Sequence, residues 1–514
     1  MPTGVRQHLR RLLQRRRAAG TAVRIGIVAV AFCAAWRAVQ EFGRPYVFFD
    51  LKIYHGAVAY WAGGGSLYDY LDPDVPLGFT YPPFAALVML PMAHVSMLDA
   101  AWINVGASLL ALALVLAALI KPIADRCGWR TWWLPVAVAV PAAAALEPMR
   151  ESLGYGQVNI LLFGLIMADL VALRWFTRRR SGRPKWTERY GVMGPMADRF
   201  LAGGWAGVGI GLATAIKLTP ALFIVYFLIS RQWRPARTAI GTTLAVTLIG
   251  FVFARKESVD YFTSVVFQTN RVGQADMTPN QSLAGLLARL YDVFSAPTLL
   301  WVTFTLVLLV VGLSRAAHAH GEGDELTAFT LIGLTANVIS PISWSHHLVF
   351  VIPAIIVLLD AAVRRRAASR GLSRRQNGFS PTGLVATRLR EPIWFPAMVG
   401  FRHAAAGIAL YILFLVSPIW PYEHQLPSVS HYADGLVGVL AENSFAIALI
   451  VLVAALPWRP GAEPVYSVDP AAVQAGRRPP VQAPRAAEPA PAARSAGPEP
   501  EPAARSAGPE PGQP

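Results

Sequence analysis

Apolar runs of about 15 to 24 residues alternate with short polar segments along most of the chain, the length an α-helix needs to cross hydrocarbon. The pattern predicts spanning helices over residues 21–38, 100–120, 132–147, 157–174, 202–216, 218–230, 236–254, 297–314, 326–340, 347–363, 397–418 and 439–457, about twelve in all. Residues 84–97 are apolar but short and carry Pro91, which predicts a partial or re-entrant helix. A soluble core of this size would show amphipathic stripes instead. The expected fold class is therefore an all-α polytopic membrane protein.

Charge orients the spans. Arg6, Arg10, Arg11, Arg15, Arg16 and Arg17 precede the first run, and basic residues toward the cytoplasm set topology. The loop 174–200 and the stretch from Arg364 to Arg390 are similarly basic. Both termini are thus expected inside, with residues 40–81 and 255–296 as long outer loops. In the first of these, Gly63-Gly64-Gly65 and Leu67-Tyr68-Asp69-Tyr70 predict short surface helices joined by a bend. The first run is long enough to remain as an anchor and is not expected to be a cleaved signal.

Composition agrees. The 514 residues are 54% hydrophobic and 15% charged, with a mean hydropathy of +0.42, whereas a soluble domain is about a quarter charged. The net charge of +16 falls to cytoplasmic loops, so no nucleic-acid partner is expected. Cys33 and Cys127 form no disulfide framework or metal-ligand spacing. Residues 458–514 are rich in Pro, Ala, Glu and Arg, repeat Pro-Ala-Ala-Arg-Ser-Ala-Gly-Pro-Glu-Pro from Pro491 and Pro502, and are expected to be a disordered cytoplasmic tail. Three parts result: a basic cytoplasmic N-terminus (1–20), a transmembrane domain (21–457) and the tail (458–514).

In this topology the costly polar residues gather at the outer ends of spans, where ionisable groups normally face a cavity. Asp50 follows Tyr46-Val47-Phe48-Phe49 just past the first span. It is placed to act as a general base toward an acceptor hydroxyl, or to cap a helix over residues 51–63. Lys217 lies between two apolar runs, where its ammonium either neutralises a phosphate or snorkels to headgroups. His346 and His347 follow Ser340-Pro341-Ile342-Ser343-Trp344-Ser345, a broken helix end. As neighbours they point to different helix faces, so one is expected to meet the cavity, holding Asp50 or binding a leaving phosphate. No spaced partner set makes them a metal site. Gln157, Asn159, Asn280 and Gln281 carry amides able to grip sugar hydroxyls, while Ser282 suits a helix cap.

Six motifs then occur in order: Phe49-Asp50-Leu51-Lys52-Ile53-Tyr54, Thr80-Tyr81-Pro82-Pro83, Gly156-Gln157-Val158-Asn159, Ala215-Ile216-Lys217-Leu218-Thr219-Pro220, Asn280-Gln281-Ser282, and Ser340 through His347. Together, over about residues 20 to 455, they resemble glycosyltransferase family 87, the polyprenol-phosphate-mannose-dependent α-mannosyltransferases of actinobacteria. The resemblance implies a GT-C bundle with its site on the outer face of the plasma membrane. It implies a polyprenyl-phosphate-linked donor, typically mannose, and inversion to an α-glycoside, with a hexosyltransferase of α-1,2 specificity as the nearest expectation. Asp50 maps to the family's base, and His346 and Lys217 to base support or donor phosphate. Lys52, Tyr54, Tyr81, Gln157, Asn159, Asn280, Gln281 and His347 are the other expected substrate contacts. The acceptor would be a cell-envelope glycolipid or glycan. No cofactor beyond the lipid-linked donor is expected, because cationic side chains suffice for a phosphate leaving group and no strand, Gly-rich loop and helix unit for a nucleotide is present.

A secondary transporter or flippase for a lipid-linked sugar is the alternative. It would place polar groups near the midplane and show an internal repeat; here they sit at span ends, and no two-half repeat is visible. A non-catalytic membrane scaffold, its basic loops and tail recruiting partners, is a third possibility that the polar cluster argues against.

Overall fold

In the computed structural model the described residues are 3–43, 46–75, 77–179, 203–376, 400–420 and 435–462. The expected tail beyond 462, and most of the two basic loops at 174–200 and 364–390, lie outside them. Eighteen helices are used here in chain order. The first nine are α1 (Thr3–Phe42), α2 (Phe49–Ala62), α3 (Pro83–Met89), α4 (Met97–Arg126), α5 (Trp133–Ala144), α6 (Glu147–Tyr155), α7 (Asn159–Arg179), α8 (Val208–Ile216) and α9 (Ala221–Ile229). The others are α10 (Trp233–Phe253), α11 (Arg255–Thr263), α12 (Leu283–Leu290), α13 (Thr298–Gly321), α14 (Glu325–Ile339), α15 (Val351–Gln376), α16 (Phe401–Val416), α17 (Gly435–Glu442) and α18 (Ser444–Ala455). Among the described residues the only β-type pairing is an isolated bridge between Asn280 and Trp344.

The chain is a helical multi-pass membrane protein. Among the described residues four helices are long and apolar enough to cross a bilayer: Gly20–Phe42 within α1, then α4, α10 and α13. They carry exposed apolar side chains such as Ile103, Leu114, Leu248 and Val310, which suit a lipid-facing surface and would be costly in water. The pair α17 and α18 counts as one further span, bent by 65°. Of the other expected spans, α7 and α15 are long helices of 21 and 26 residues, whereas α5, α8, α9, α14 and α16 are shorter. Both α8 and α9 have nine residues, about 14 Å at 1.5 Å per residue, against about 30 Å of hydrocarbon. The break at Lys217 to Pro220 falls between the two apolar runs, where the sequence separates them. Residues 83–94 match the partial helix expected there: α3 ends after seven residues and passes into a 3₁₀ turn at Leu90–His94 that holds Pro91.

The core is centred on α14, buried along nearly its whole length. Phe329 packs against Phe223 and Phe227 of α9, and Gly333 lets Phe350 close on the helix, since a Cβ there would collide with that ring. Buried carboxylates join the helices. Asp169 of α7 accepts from the backbone N–H groups of Gly209 and Ile210 at 3.2 and 2.8 Å, satisfying first-turn donors of α8 that have no partner within the helix. Asp324 caps α14 through Thr327 N at 3.1 Å and receives Arg459 Nη2 at 2.5 Å. The same arginine reaches Asp360 of α15 at 2.9 Å, where Arg126 of α4 and Arg364 also pair.

A second apolar cluster combines α2, residues 67–81 and α11 around Tyr54, Phe79, Tyr81 and Tyr261. This layer sits beside the end of α14 opposite Asp324, where Ser340 to His347 leave the helix, and it shapes the cavity described next.

Candidate active site

The site begins with a turn. Phe48 adopts φ 54° and ψ 41°, a left-handed conformation that costs a non-glycine residue about 1 kcal/mol or more. Its N–H is held by Gly154 O at 3.0 Å. The turn starts α2 at Phe49 and sets Asp50 in the first turn. Phe48 occupies the cap position, so Asp50 is not the helix cap considered above, although its charge still favours the positive end of α2. Tyr54 follows one turn later on the same face.

Opposite α2, α6 ends at Gly156 with φ 71°, the left-handed stop that glycine supplies best. A Cβ at Gly156 would lie 2.5 Å from Leu51 Cβ, so only glycine lets the two segments meet this closely. The next residue, Gln157, is 3% exposed and its amide reaches across. Nε2 donates to Asp50 Oδ2 at 2.8 Å and to Tyr54 OH at 3.0 Å. Oε1 accepts from Tyr81 OH at 3.0 Å, and the two phenols lie 3.0 Å apart.

Lys217 forms a second wall. It interrupts α8 with extended dihedrals, φ −147° and ψ 127°, because the Thr219-Pro220 step that follows cannot continue the helix. Its ammonium donates to Asn159 Oδ1 at 3.1 Å and to His347 Nε2 at 3.0 Å, and it stands 5.4 Å above the Tyr81 ring. It points into the cavity, toward Asn159 and His347. As acceptor at Nε2, His347 carries its proton on Nδ1. Asn159 Nδ2 and Ser152 Oγ both donate to His346 O, at 3.1 and 2.9 Å, fixing the 3₁₀ turn Ser345–His347.

These walls enclose a cavity of about 1010 Å³. Its floor is aromatic, from Phe163, Phe223 and Phe350, so the few polar groups act in low dielectric. Among the described lining residues, Asp50 is the one carboxylate and Lys217 and Arg271 are the two full cations. Asp50 and Lys217 both lie outside the spanning segments. Burial pushes the Asp50 carboxyl up to about 6, offset in part by the Gln157 bond and the charge of Lys217. Burial also lowers the Lys217 ammonium to about 8, with Asp50 pulling the other way. As the acceptor of the Lys217 ammonium, His347 is in its neutral form. Among the described residues no group of three or more His, Cys, Asp or Glu side chains is placed to hold a metal ion.

The structure brings Asp50, Tyr54, Tyr81, Gln157, Asn159, Lys217, His346 and His347 to this one cavity. Both histidines line it, contrary to the expectation of one, because residues 345–347 form a single 3₁₀ turn, their rings 4.7 Å apart and perpendicular. Three expected contacts are placed elsewhere. Lys52 pairs with Asp72 at 3.3 Å and with Asp74, bracing the loop. Asn280, 0% exposed, spends its amide on Ala275 O, Pro341 O and Ser343 N. Gln281, also 0% exposed, spends its own on Thr278 O, Glu442 O and Ala446 N. Both tie the 278–282 segment to its neighbours. Ser282 caps α12 through Gly285 N at 3.1 Å.

Arg271, Gln268 and Asn337 line the cavity without having been singled out in the sequence. The one signal for Arg271 is a basic residue in a loop expected outside, and Arg255, Lys256 and Arg289 share it.

Comparison with known proteins places this geometry in a family context. The sequence profile of glycosyltransferase family 87 matches residues 79–341. A polyprenol-phosphate-mannose-dependent alpha-(1-2)-phosphatidylinositol mannoside mannosyltransferase of Mycobacterium tuberculosis is 31% identical over 401 residues, covering 74% of this chain and 86% of the relative. The enzyme of the same description from Mycolicibacterium smegmatis is 30% identical over 398 residues, with 73% and 82% covered. Likeness to the solved structure of ArnT from Cupriavidus metallidurans bound to undecaprenyl phosphate is looser. Identity is 16% and the TM-score 0.34, over 85% of this chain and 78% of that one, too loose to transfer any residue.

Proposed function

The chain belongs to glycosyltransferase family 87, and on that premise we propose that it is an inverting α-1,2-mannosyltransferase. It moves mannose from a polyprenyl phosphate to a phosphatidylinositol mannoside, the donor and acceptor for which its relatives are named. The bundle is of the GT-C type, with about twelve crossings once the short helices are counted as parts of spans. The cavity faces outward from the plasma membrane and both termini face the cytoplasm. The basic loops support that orientation.

The observation that carries the proposal is the opposition of Asp50 and Lys217 across one cavity, each half-buried and each tied to the same Tyr81 and Gln157 layer. Asp50 takes the proton of the acceptor hydroxyl as that oxygen attacks C1 of the donor mannose. The bond from C1 to the phosphate oxygen breaks on the opposite face, and the polyprenyl phosphate leaves with the electron pair. Lys217 offsets the anion, worth most where water is excluded. His347, neutral and protonated at Nδ1, keeps the ammonium aimed. Charge is supplied by side chains alone, and no cofactor is invoked beyond the lipid-linked donor.

The test is transfer by purified full-length protein. With polyprenyl-phosphate mannose and phosphatidylinositol mannosides, an α-1,2-linked mannosyl product is expected. Transfer from a nucleotide sugar instead, or no transfer to any glycoside acceptor, would overturn the assignment.

A further inference from the structure

We propose that Arg271 forms a second anion subsite of the active-site cavity, which binds the phosphodiester of a phospholipid-borne acceptor while Lys217 serves the phosphate of the donor. The inference rests on the mannosyltransferase function proposed above and adds to it the residue that selects a charged acceptor.

Charge balance is the first argument. Lys217 and Arg271 against Asp50 leave the described lining with one net positive charge (two minus one). Transfer from a lipid phosphate to an uncharged sugar needs one cation, at the leaving group. A glycosylated phospholipid brings a second anion into the same space, and the second cation matches it.

The setting of Arg271 is the second. It sits on the 3₁₀ turn Thr269–Val272, a different element from the α8–α9 break that holds Lys217. Each terminal nitrogen of its guanidinium makes one bond, Nη2 donating to Tyr68 O at 2.6 Å and Nη1 to Gln268 Oε1 at 3.4 Å. These acceptors are neutral, and among the described residues no carboxylate pairs with it. The adjoining loop does carry acids, Asp72 and Asp74, but both are engaged by Lys52. The one ammonium offsets one of the two charges, and neither carboxylate pairs with Arg271. Gly78 backs the guanidinium: a Cβ there would lie 3.5 Å from Nη2 and would press on Tyr70 O.

Chemistry is the third. A guanidinium has five donors in a planar fork that matches the paired oxygens of a phosphate ester, and two bonds to neutral oxygens leave donors to spare. An ammonium suits the transient charge of a leaving group as a point cation.

The test compares two acceptors on the full-length enzyme in detergent: a phosphatidylinositol mannoside, and an uncharged alkyl α-mannoside. Arg271→Gln is expected to lower kcat/KM for the charged acceptor relative to the uncharged one by about tenfold or more, the usual effect of losing a charge-assisted hydrogen bond. The loss should fall on acceptor KM, with donor KM unmoved. Arg271→Lys, which keeps charge but not the fork, should recover part of the selectivity. If Arg271→Gln raises donor KM instead, the arginine serves the donor phosphate and the proposal fails. It fails too if both acceptors suffer equally, or if Arg271→Lys and Arg271→Gln leave selectivity as in the parent. Wild-type protein inactive with both acceptors would count against the mannosyltransferase function itself, and that result is visible before any variant is made.

Discussion

Gln157 Nε2 donates to Asp50 Oδ2 at 2.8 Å while its Oε1 accepts from Tyr81, so one amide both aims the carboxylate and fixes which of its own ends does the aiming. The sequence motif suggested that Gln157 grips sugar. Its geometry leaves little of the amide for substrate, and it acts through Asp50 as a positioning residue. Gln157→Glu puts a second acid against Asp50, which disfavours the ionised base. We expect the acid limb of the pH–rate profile to move upward, with kcat falling about tenfold or more at pH 7 and donor KM little changed. An unshifted profile would remove this role.

The two opposed charges set a pH window. Transfer requires Asp50 ionised and Lys217 protonated. With the first pushed up to about 6 and the second down to about 8, kcat/KM should rise through about pH 6 and decline above about pH 8. Replacement of Lys217 by Arg should extend the alkaline limb, since a guanidinium stays charged. Initial rates from pH 5 to 9.5 on both proteins check this.

Asp50 also carries a stability cost. Its carboxyl binds a proton more readily folded, at about 6, than at the ordinary value of 3.8. Such a group makes the protein less stable as pH rises from about 4 through 6, because the folded state must then ionise a buried acid. Asp50→Asn should therefore raise the thermal midpoint at pH 7.5 and change it little at pH 4. An equal shift at both values would contradict the assigned burial cost.

Arg459 stands far from the chemistry in sequence and role. It bridges Asp324 and Asp360, and its removal leaves buried carboxylates short of a counter-charge, typically a loss of about 3–5 kcal/mol. Arg459→Ala should lower the thermal midpoint in detergent markedly while specific activity per folded molecule is retained. Loss of activity at an unchanged midpoint would point to a different role.

Much of the cavity's polar lining is visible in the sequence, for a physical reason. Asp50, Gln157, Asn159, Lys217 and the histidines interrupt apolar runs where an idle polar group is costly, so their positions stand out. Asn280 and Gln281 stand out equally, yet the structure spends both amides on backbone, because a loop crossing a buried region must satisfy its own carbonyls and N–H groups. Hydropathy cannot separate those two uses. Arg271 was hidden for the converse reason: in an exposed polar loop an arginine costs nothing, and only the fold shows what it faces. The same limit applies to span counting. Composition reads 218–230 as one crossing, whereas Pro220 confines α9 to Ala221–Ile229, and the 65° bend between α17 and α18 leaves no mark on a hydropathy average.

The most direct measurement is mannose transfer by Asp50→Asn, assayed with polyprenyl-phosphate mannose and a phosphatidylinositol mannoside beside the parent protein. The account predicts loss of about a thousandfold or more in kcat, since an amide cannot take the hydroxyl proton, with donor affinity and the folded state preserved. Turnover near the parent rate by a folded Asp50→Asn protein would contradict it.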